Sequence, residues 1–308
     1  MASILTNGSA MTALQNLTAT IRKLDETQTR ISTGLRVGRA EDNAAYWSIA
    51  TTMRSDNGAL STVKDALGLG SATIDVAYTG ISSAIDAVKE IKNKLVAARQ
   101  PGVDRVKIQS EVTELQRQLT SIGNTSVFSG ENWISVDSSE PGYSNTKTIV
   151  ASFSRSNEGI SIGTITVSVE DIKLYDAADQ SGILDELDTT INGGEDYSVA
   201  TLDITQLSNS ESDIADLEQM IAWVDLAITK MTTSAASLGA VKQRVSLQQD
   251  FVSSLMAAIT RGVGALVDAD MNEESTKLQA LQVQQQLGIQ SLSIANQNSQ
   301  NILALFKG

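Results

Sequence analysis

The stretch IADLEQMIAWVDLAITKMTTSAASLGAVKQRVSLQQDFVSSLMAAITRGVGAL, Ile214 to Leu266, advances in alternating steps of three and four through Ile214, Leu217, Ile221, Val224, Ile228, Met231, Ala235, Leu238, Lys242, Val245, Gln249, Val252, Met256, Ile259, Val263 and Leu266. Only Lys242 and Gln249 in this series are polar. A repeat of 3.5 residues draws one stripe along an α-helix, and a stripe held for so many turns needs a partner helix of similar length. At ~1.5 Å per residue such a helix extends roughly 80 Å. Its partner lies in the first half of the chain, where Leu60, Val63, Leu67, Gly70, Ile74, Ala77, Ile81, Ala84, Val88, Ile91, Leu95 and Ala98 keep the same rhythm. Residues Ile74, Ile81, Val88, Ile221, Val224 and Ile228 are the expected centre of this seam. A shorter stripe of Ile108, Val112, Leu115, Leu119 and Ile122 follows Pro101, and Pro141 is the only other proline, so long helices meet few breaks.

Outward from this pair, both ends of the chain lose their charge. Leu278 to Phe306 and Met1 to Ile21 contain no charged side chain. At 100° per residue, Leu278, Leu281, Ile289, Leu292, Ala295, Ile302, Leu303 and Phe306 make one broad stripe, while Val283, Leu287, Ile294 and Leu305 fall roughly opposite. A surface helix needs one apolar face, so a second implies a second neighbour. Near the N-terminus, Leu14, Leu17, Ile21, Leu24, Gln28, Ile31 and Leu35 give a further heptad stripe. Glutamine and asparagine recur too often in the C-terminal stretch for it to be a membrane span.

Between about Trp133 and Leu207 the period changes. TIVASF and ISIGTITVSV alternate apolar and polar residues with many β-branched side chains, and NEG and NGGED supply turns. Most of an acidic segment that accounts for the net charge of -13 lies here: from Glu170 to Glu218 fourteen acidic residues face one basic residue, Lys173. That segment suits a hydrated outer surface, and the absence of a basic patch excludes nucleic-acid binding. There is no cysteine and no histidine, which removes thiolate and imidazole metal sites, Ser-His-Asp triads and Cys-His nucleophiles. No cofactor, metal site or enzymatic activity is expected. No secretory signal is legible at the N-terminus, so an extracellular protein of this kind would need a separate export machine.

The expected fold is mainly α: a long antiparallel coiled-coil hairpin rod, with both termini at one end and a small, mainly β insertion at the other. Its parts are an N-terminal helix over 1–40, the first half of the rod over 41–131, the acidic β insertion over 132–208, the second half of the rod over 209–268, and a C-terminal helix over 269–308.

The segment TRISTGLRVGRAEDNAAYWSIATTM, Thr29 to Met53, resembles bacterial flagellin, through Arg30, Ile31, Ser32, Thr33, Gly34, Arg36, Ala40, Asp42, Ala44 and Ala45. NTSVFSGENWI, LGAVKQRV, DADMNEES and IANQNSQNILALF are similar to further elements of that family. The resemblance covers roughly residues 1–132 and 210–308 and leaves the β insertion out. It implies a secreted subunit that polymerises into the helical filament of the bacterial flagellum and serves swimming. The nearest alternative is a junction protein near the filament cap. The resemblance further implies that the terminal helices pair and line the inner tube, one face on each other and one on neighbouring subunits, with Leu14, Leu17, Ile21, Leu24, Val283, Leu287, Leu292, Ile294, Ile302, Leu305 and Phe306 as core contacts. The implied partners are further copies, other flagellins, the export apparatus and the filament cap. Host flagellin receptors read stretches corresponding to Thr29–Ala50 and to the region around Ala87–Ile91. There Glu41, Asn43, Tyr46 and Ala87 depart from the residues the family usually carries, which implies weak recognition.

Overall fold

The computed structural model describes residues 7–156 and 159–305, with the side chains of Ser299 and residues 301–305 left out. The helices are α1 (Gly8–Thr33), α2 (Ala44–Ala98), α3 (Arg105–Thr125), α4 (Glu211–Val267) and α5 (Met271–Leu305). Eight strands lie between α3 and α4: β1 (Val127–Phe128), β2 (Glu131–Asn132), β3 (Ser135–Val136), β4 (Thr146–Ser156), β5 (Gly159–Ser168), β6 (Tyr175–Asp176), β7 (Asp188–Thr189) and β8 (Asp196–Tyr197). The protein is mainly α with a small strand-bearing insertion, as its periodicity predicts. The chain divides into two compact units: one of the described residues up to Gly58 and from Met256 onward, the other of Ala59–Leu255.

In the second unit, every one of the twelve seam positions from Leu60 to Ala98 is buried. On α4, Leu217, Val224, Met231, Leu238, Val245 and Val252 are fully inward, one per heptad, and the alternate positions Ile221 and Ile228 are half-buried. Burying an aliphatic side chain of this size contributes about 1.5–3 kcal/mol, so this stripe is the main source of stability. Three ion pairs record the register: Arg99 with Glu218, Lys92 with Asp225 and Lys242 with Asp75, the two residue numbers adding to 317 each time. A constant sum means antiparallel helices that pair without a skip. All three pairs are largely exposed and worth about 0–1 kcal/mol each, so they report the register more than they enforce it. By length and composition α4 is also apolar enough to cross a membrane, with mean hydropathy 1.3 over its most apolar window.

Helix α3 turns a different face inward from the one its apolar residues suggest. Arg105, Gln109, Val112, Gln116, Leu119 and Gly123 are buried, whereas Ile108, Leu115 and Ile122 are half-buried. The irregular segment leading from the insertion back to α4 lies on this face and has backbone groups that no strand satisfies. Gln109 donates to Leu202 O at 3.0 Å and accepts from Ile204 N at 3.1 Å. Gln116 donates to Val199 O and Leu202 O, and Arg105 to Ala98 O at 3.1 Å and Ser208 O at 2.5 Å. Buried backbone groups must find partners, and polar side chains on a neighbouring helix supply them here.

The β4–β5 hairpin is the one long sheet element, antiparallel from Thr146↔Ser168 to Ser156↔Gly159, with an irregularity between Val150 and Ser152. It sits on α2 through Ile149. A Cβ on Gly70 would come within 2.6–2.9 Å of three Ile149 side-chain carbons, so Gly70 is a seat for the hairpin.

The insertion also encloses a cation. Lys173 and Asp176 are both buried, and Lys173 Nζ reaches Asp176 Oδ2 and Glu170 Oε1 at 3.1 Å each. Burial alone would push the Asp176 carboxyl up, but the backbone N–H groups of Ser138 and Ala178 and the Lys173 ammonium outweigh it and hold its pKa at about 2. Strongly shifted groups often mark active sites. Here the charged atoms point at one another and at backbone, so the cluster ties the insertion together.

Candidate assembly surface

Helices α1 and α5 pack against each other within the first unit. Asn7 starts α1: its side-chain carbonyl accepts from Ala10 N at 3.0 Å, and its amide donates to Ala295 O at 2.9 Å. At the other end of α1, Arg30 Nη1 donates to Glu274 Oε1 at 3.1 Å, and Gly34 ends the helix in the left-handed region at φ 71°. Val267 O accepts from Arg36 N and Val37 N, and Ala269 N donates to Gly34 O. Val37, Ala50, Val263 and Val267 form a small core beneath this turn.

The face that α1 turns inward is Ala10, Ala13, Leu17, Thr20, Leu24, Thr27 and Ile31, in steps of three and four. This seam differs from the expected one: Leu17, Leu24 and Ile31 belong to it, while Leu14 and Ile21 do not. The reason is size. Small Ala and Thr side chains let the two backbones approach, and that closeness decides the contact face ahead of hydrophobicity. The matching face of α5 is Glu274, Leu278, Leu281, Gln285, Gly288, Leu292 and Ala295.

Each helix therefore keeps a second apolar face. Leu14 and Ile21 on α1, with Val283, Leu287 and Ile294 on α5, are between 45% and 59% exposed, and so is Ile289, expected on the covered stripe. Met11 joins them at 58%. Leu17, Leu24 and Leu292 are half-buried between the helices. Ile302 and Leu305 lie on α5 with side chains outside the described set, and Phe306 lies outside the described residues. Apolar surface repeated along two paired helices marks an interaction site in a soluble protein.

The expected receptor residues fall in different settings. Glu41 is exposed and pairs with Arg39 at 3.0 Å, and Tyr46 is exposed. Asn43 is half-buried and accepts from Tyr46 N at 3.1 Å, which satisfies a free donor at the start of α2. Ala87 is only 6% exposed, which corrects its placement on an outer surface. One heptad along α2, Lys94 pairs with Glu111 of α3, and one heptad back, Gly80 abuts Ser126. Ala87 lies between, on the side that α3 covers, where a longer side chain would have to displace that helix.

Among the described residues no cluster of three or more His, Cys, Asp or Glu could hold a metal ion. What the geometry offers is two long helices covered on one side and open on the other. Residues 4–138 match the bacterial flagellin N-terminal helical region and residues 221–306 the bacterial flagellin C-terminal helical region. The chain belongs to the bacterial flagellin family. It is 51% identical over 322 residues to flagellin C and 43% identical over 396 residues to flagellin A, both of Rhizobium meliloti (strain 1021). It is 42% identical over 309 residues to a flagellin of Brucella melitensis. Each comparison covers 100% of this chain and of the relative. A flagellin is a structural subunit, secreted and polymerised into the extracellular filament of the flagellum, and motility follows from that role. The two family matches leave residues 139–220 unmatched, which hold most of the acidic insertion, strands β4 to β8 and the first turns of α4.

Proposed function

We propose that the exposed faces of α1 and α5 are the surfaces through which each subunit of the filament binds its neighbours. The supporting observation is the row of half-exposed Leu14, Ile21, Val283, Leu287 and Ile294 on helices whose opposite faces already cover each other. Leu17, Leu24 and Leu292 hold the pair together, and Ile302, Leu305 and Phe306 continue the contact surface. Neighbours that meet different patches of one another generate an open helix, the form a filament needs. On this reading residues 1–40 and 269–308 form the inner core of the filament, 41–131 and 209–268 its coiled-coil layer, and 132–208 its acidic outside. The apolar stretch of α4 serves that layer and does not span a membrane. The partners are further copies and other flagellins, the export apparatus and the filament cap. Electron microscopy of purified protein carrying Val283→Asp and Ile294→Asp tests the assembly surface. Loss of filaments from a helical, soluble chain supports it, and filaments of ordinary length refute it.

Glu41 and Tyr46 motivate a second reading, weak recognition by host flagellin receptors. Both are exposed where the family usually has Lys and Gly, and a buried interface charge left unpaired costs about 2–5 kcal/mol of binding. A synthetic peptide of residues 29–50 should elicit a smaller plant oxidative burst than the same peptide with Glu41→Lys, Asn43→Asp and Tyr46→Gly. Equal potency removes this reading and leaves Glu41 and Tyr46 to contacts within the filament.

A further inference from the structure

Besides its seam with α2, helix α4 carries a second stripe that is covered for only part of its length. Steps of seven from Asp216 give Asp216, Trp223, Lys230, Ser237, Arg244 and Phe251, all on one face of the helix. The insertion covers the first half of that face. Asn192 donates to Asp216 Oδ1 at 3.0 Å, Lys230 Nζ donates to Glu186, and Ser234 donates to the Asp171 carbonyl. Met220, Ala227 and Ser234, which run alongside in the same steps of seven, are buried there. Beyond Ser237 the insertion ends and the face continues bare. The corresponding Val241, Gln248 and Leu255 are only half-buried, and Arg244 is exposed. Leu247 and Phe251, one turn apart, are 60% and 59% exposed. Two large apolar side chains side by side on an outer helix face mark an interaction site.

Charge and shape indicate what fits it. The bare half holds the cation Arg244, which pairs with no carboxylate among the described residues, and no acidic residue lies on the face itself. The matching surface belongs to the same Ala59–Leu255 unit. From Glu186 to Asp196 the insertion carries four acidic residues and no basic one, and it exposes Leu187 by 48% and Ile191 by 76%. One patch is apolar and positive, the other apolar and negative, and the first half of the stripe already accepts this same insertion.

The two patches do not meet within one chain. Ile191 N donates to Gln219 Oε1, which places the loop roughly 48 Å short of Phe251 along α4 at ~1.5 Å per residue. A second copy displaced by that distance toward the end of α4 brings its loop to the level of Phe251. Contacts between unlike patches leave one of each free on every pair, so they repeat along a polymer without closing. We infer that the α4 face of Arg244, Leu247 and Phe251 docks the acidic Glu186–Asp196 loop of a second copy in the filament. Patches this small do not hold soluble chains together, so the contact forms only where assembly already sets copies side by side. The inference rests on membership of a polymerising family and not on the contacts proposed for α1 and α5.

Positions 251 and 191 are both more than half exposed and the chain has no cysteine, so Phe251→Cys and Ile191→Cys keep the fold and report cleanly. The two full-length single variants are polymerised together and treated with a short bis-maleimide. Covalent dimers with one chain of each variant, identified by mass, should form in these filaments. They should be absent from the soluble mixture and from filaments of either variant alone. Separately, Arg244→Glu in the native chain should raise the concentration left unassembled about tenfold while the thermal transition of the soluble chain stays unchanged. Filaments without mixed dimers, dimers of like with like, or native assembly by Arg244→Glu would each overturn the inference. Should Val283→Asp and Ile294→Asp leave filaments intact, the role proposed for α1 and α5 fails while the mixed dimers still form, so the two readings fail separately.

Discussion

Two pairs of helices in this flagellin are written in the same heptad code and end in different states. In the α2–α4 pair all twelve α2 positions from Leu60 to Ala98 are buried, and ion pairs mark a register without skips. In the α1–α5 pair only one face of each helix is covered, while Leu14, Ile21, Val283, Leu287 and Ile294 remain half-exposed. A heptad repeat specifies a partner and says nothing about whether that partner is in the same chain. The charge pattern does. The α2–α4 pair keeps Lys, Arg, Asp and Glu on its outer faces, whereas α1 before Arg22 and α5 beyond Lys277 carry no charge on any face, as the proposed contacts with neighbours require.

The largest expected difference comes from placing one charge in each pair. Leu287→Asp puts a carboxylate on an exposed face, so the soluble chain should keep its thermal transition while filament formation is abolished, because the burial cost of several kcal/mol arises only on assembly. Ile81→Asp puts the same charge in a fully buried position and should unfold the Ala59–Leu255 unit outright. Calorimetry combined with electron microscopy separates the two, and equal effects on both measurements would break the comparison.

Hydrogen exchange on unassembled protein sharpens it. An isolated helix owes most of its stability to packing its apolar face, and α1 and α5 have only half of theirs packed. Amides of α1 and of α5 beyond Lys277 should exchange orders of magnitude faster than those of α2 between Leu67 and Leu95. Comparable protection in both would mean that the terminal pair is already complete in the monomer.

How much of this could be read from the sequence depended on what each face packs against. Where apolar side chains meet apolar side chains, as from Leu60 to Ala98, every position that periodicity selects is buried. On α3 it found Val112 and Leu119 and missed the buried Arg105, Gln109 and Gln116, which serve an irregular backbone segment and bring no hydrophobic signal. On α1 it chose Leu14 and Ile21 over Ala10, Ala13 and Thr20, because counting hydrophobic residues ignores how closely two helices approach. Asn43 was read as a surface departure, yet its position just before α2 carries a capping signal. Ala87 was misplaced because nothing in the local pattern shows that α3 folds back over α2.

The insertion contrasts with both pairs, because beside its apolar core it buries ionised side chains and so responds to pH. Asp176 has a folded pKa near 2, below the usual 3.8. Its contribution is therefore fully present above about pH 4 and is lost as pH falls through about 2. Asp185, whose carboxyl burial pushes up, has the opposite sign: its contribution is present at low pH and lost as pH rises through its elevated value. The thermal transition of the Ala59–Leu255 unit should fall between pH 4 and pH 2, and Asp176→Asn should flatten that dependence. An equally steep fall in the variant would assign the acid sensitivity to other carboxylates.

The smallest expected effects come from two glycines on one helix, and they test whether α2 is weakened for flexibility or shaped by contact. Glycine in a helix interior costs about 1 kcal/mol relative to alanine, so at first sight Gly68 and Gly70 are equivalent soft points where a filament could change form. Their surroundings differ. A Cβ at Gly68 would meet nothing within 4 Å, while one at Gly70 would press on Ile149 at 2.6 Å. Gly68→Ala should therefore raise stability by about 0.5–1 kcal/mol. At Gly70→Ala the same propensity gain is opposed by overpacking of about 1–3 kcal/mol, because Ile149 belongs to a hairpin strand that cannot easily retreat. The net change should be a modest loss, recovered in part by Ile149→Val, which removes the Cδ1 methyl group 2.7 Å from the new side chain and keeps Cγ2. Denaturant unfolding of the four chains measures this directly. Should both alanine variants gain stability alike, the hairpin yields at no cost and Gly70 returns to being a point of helix flexibility.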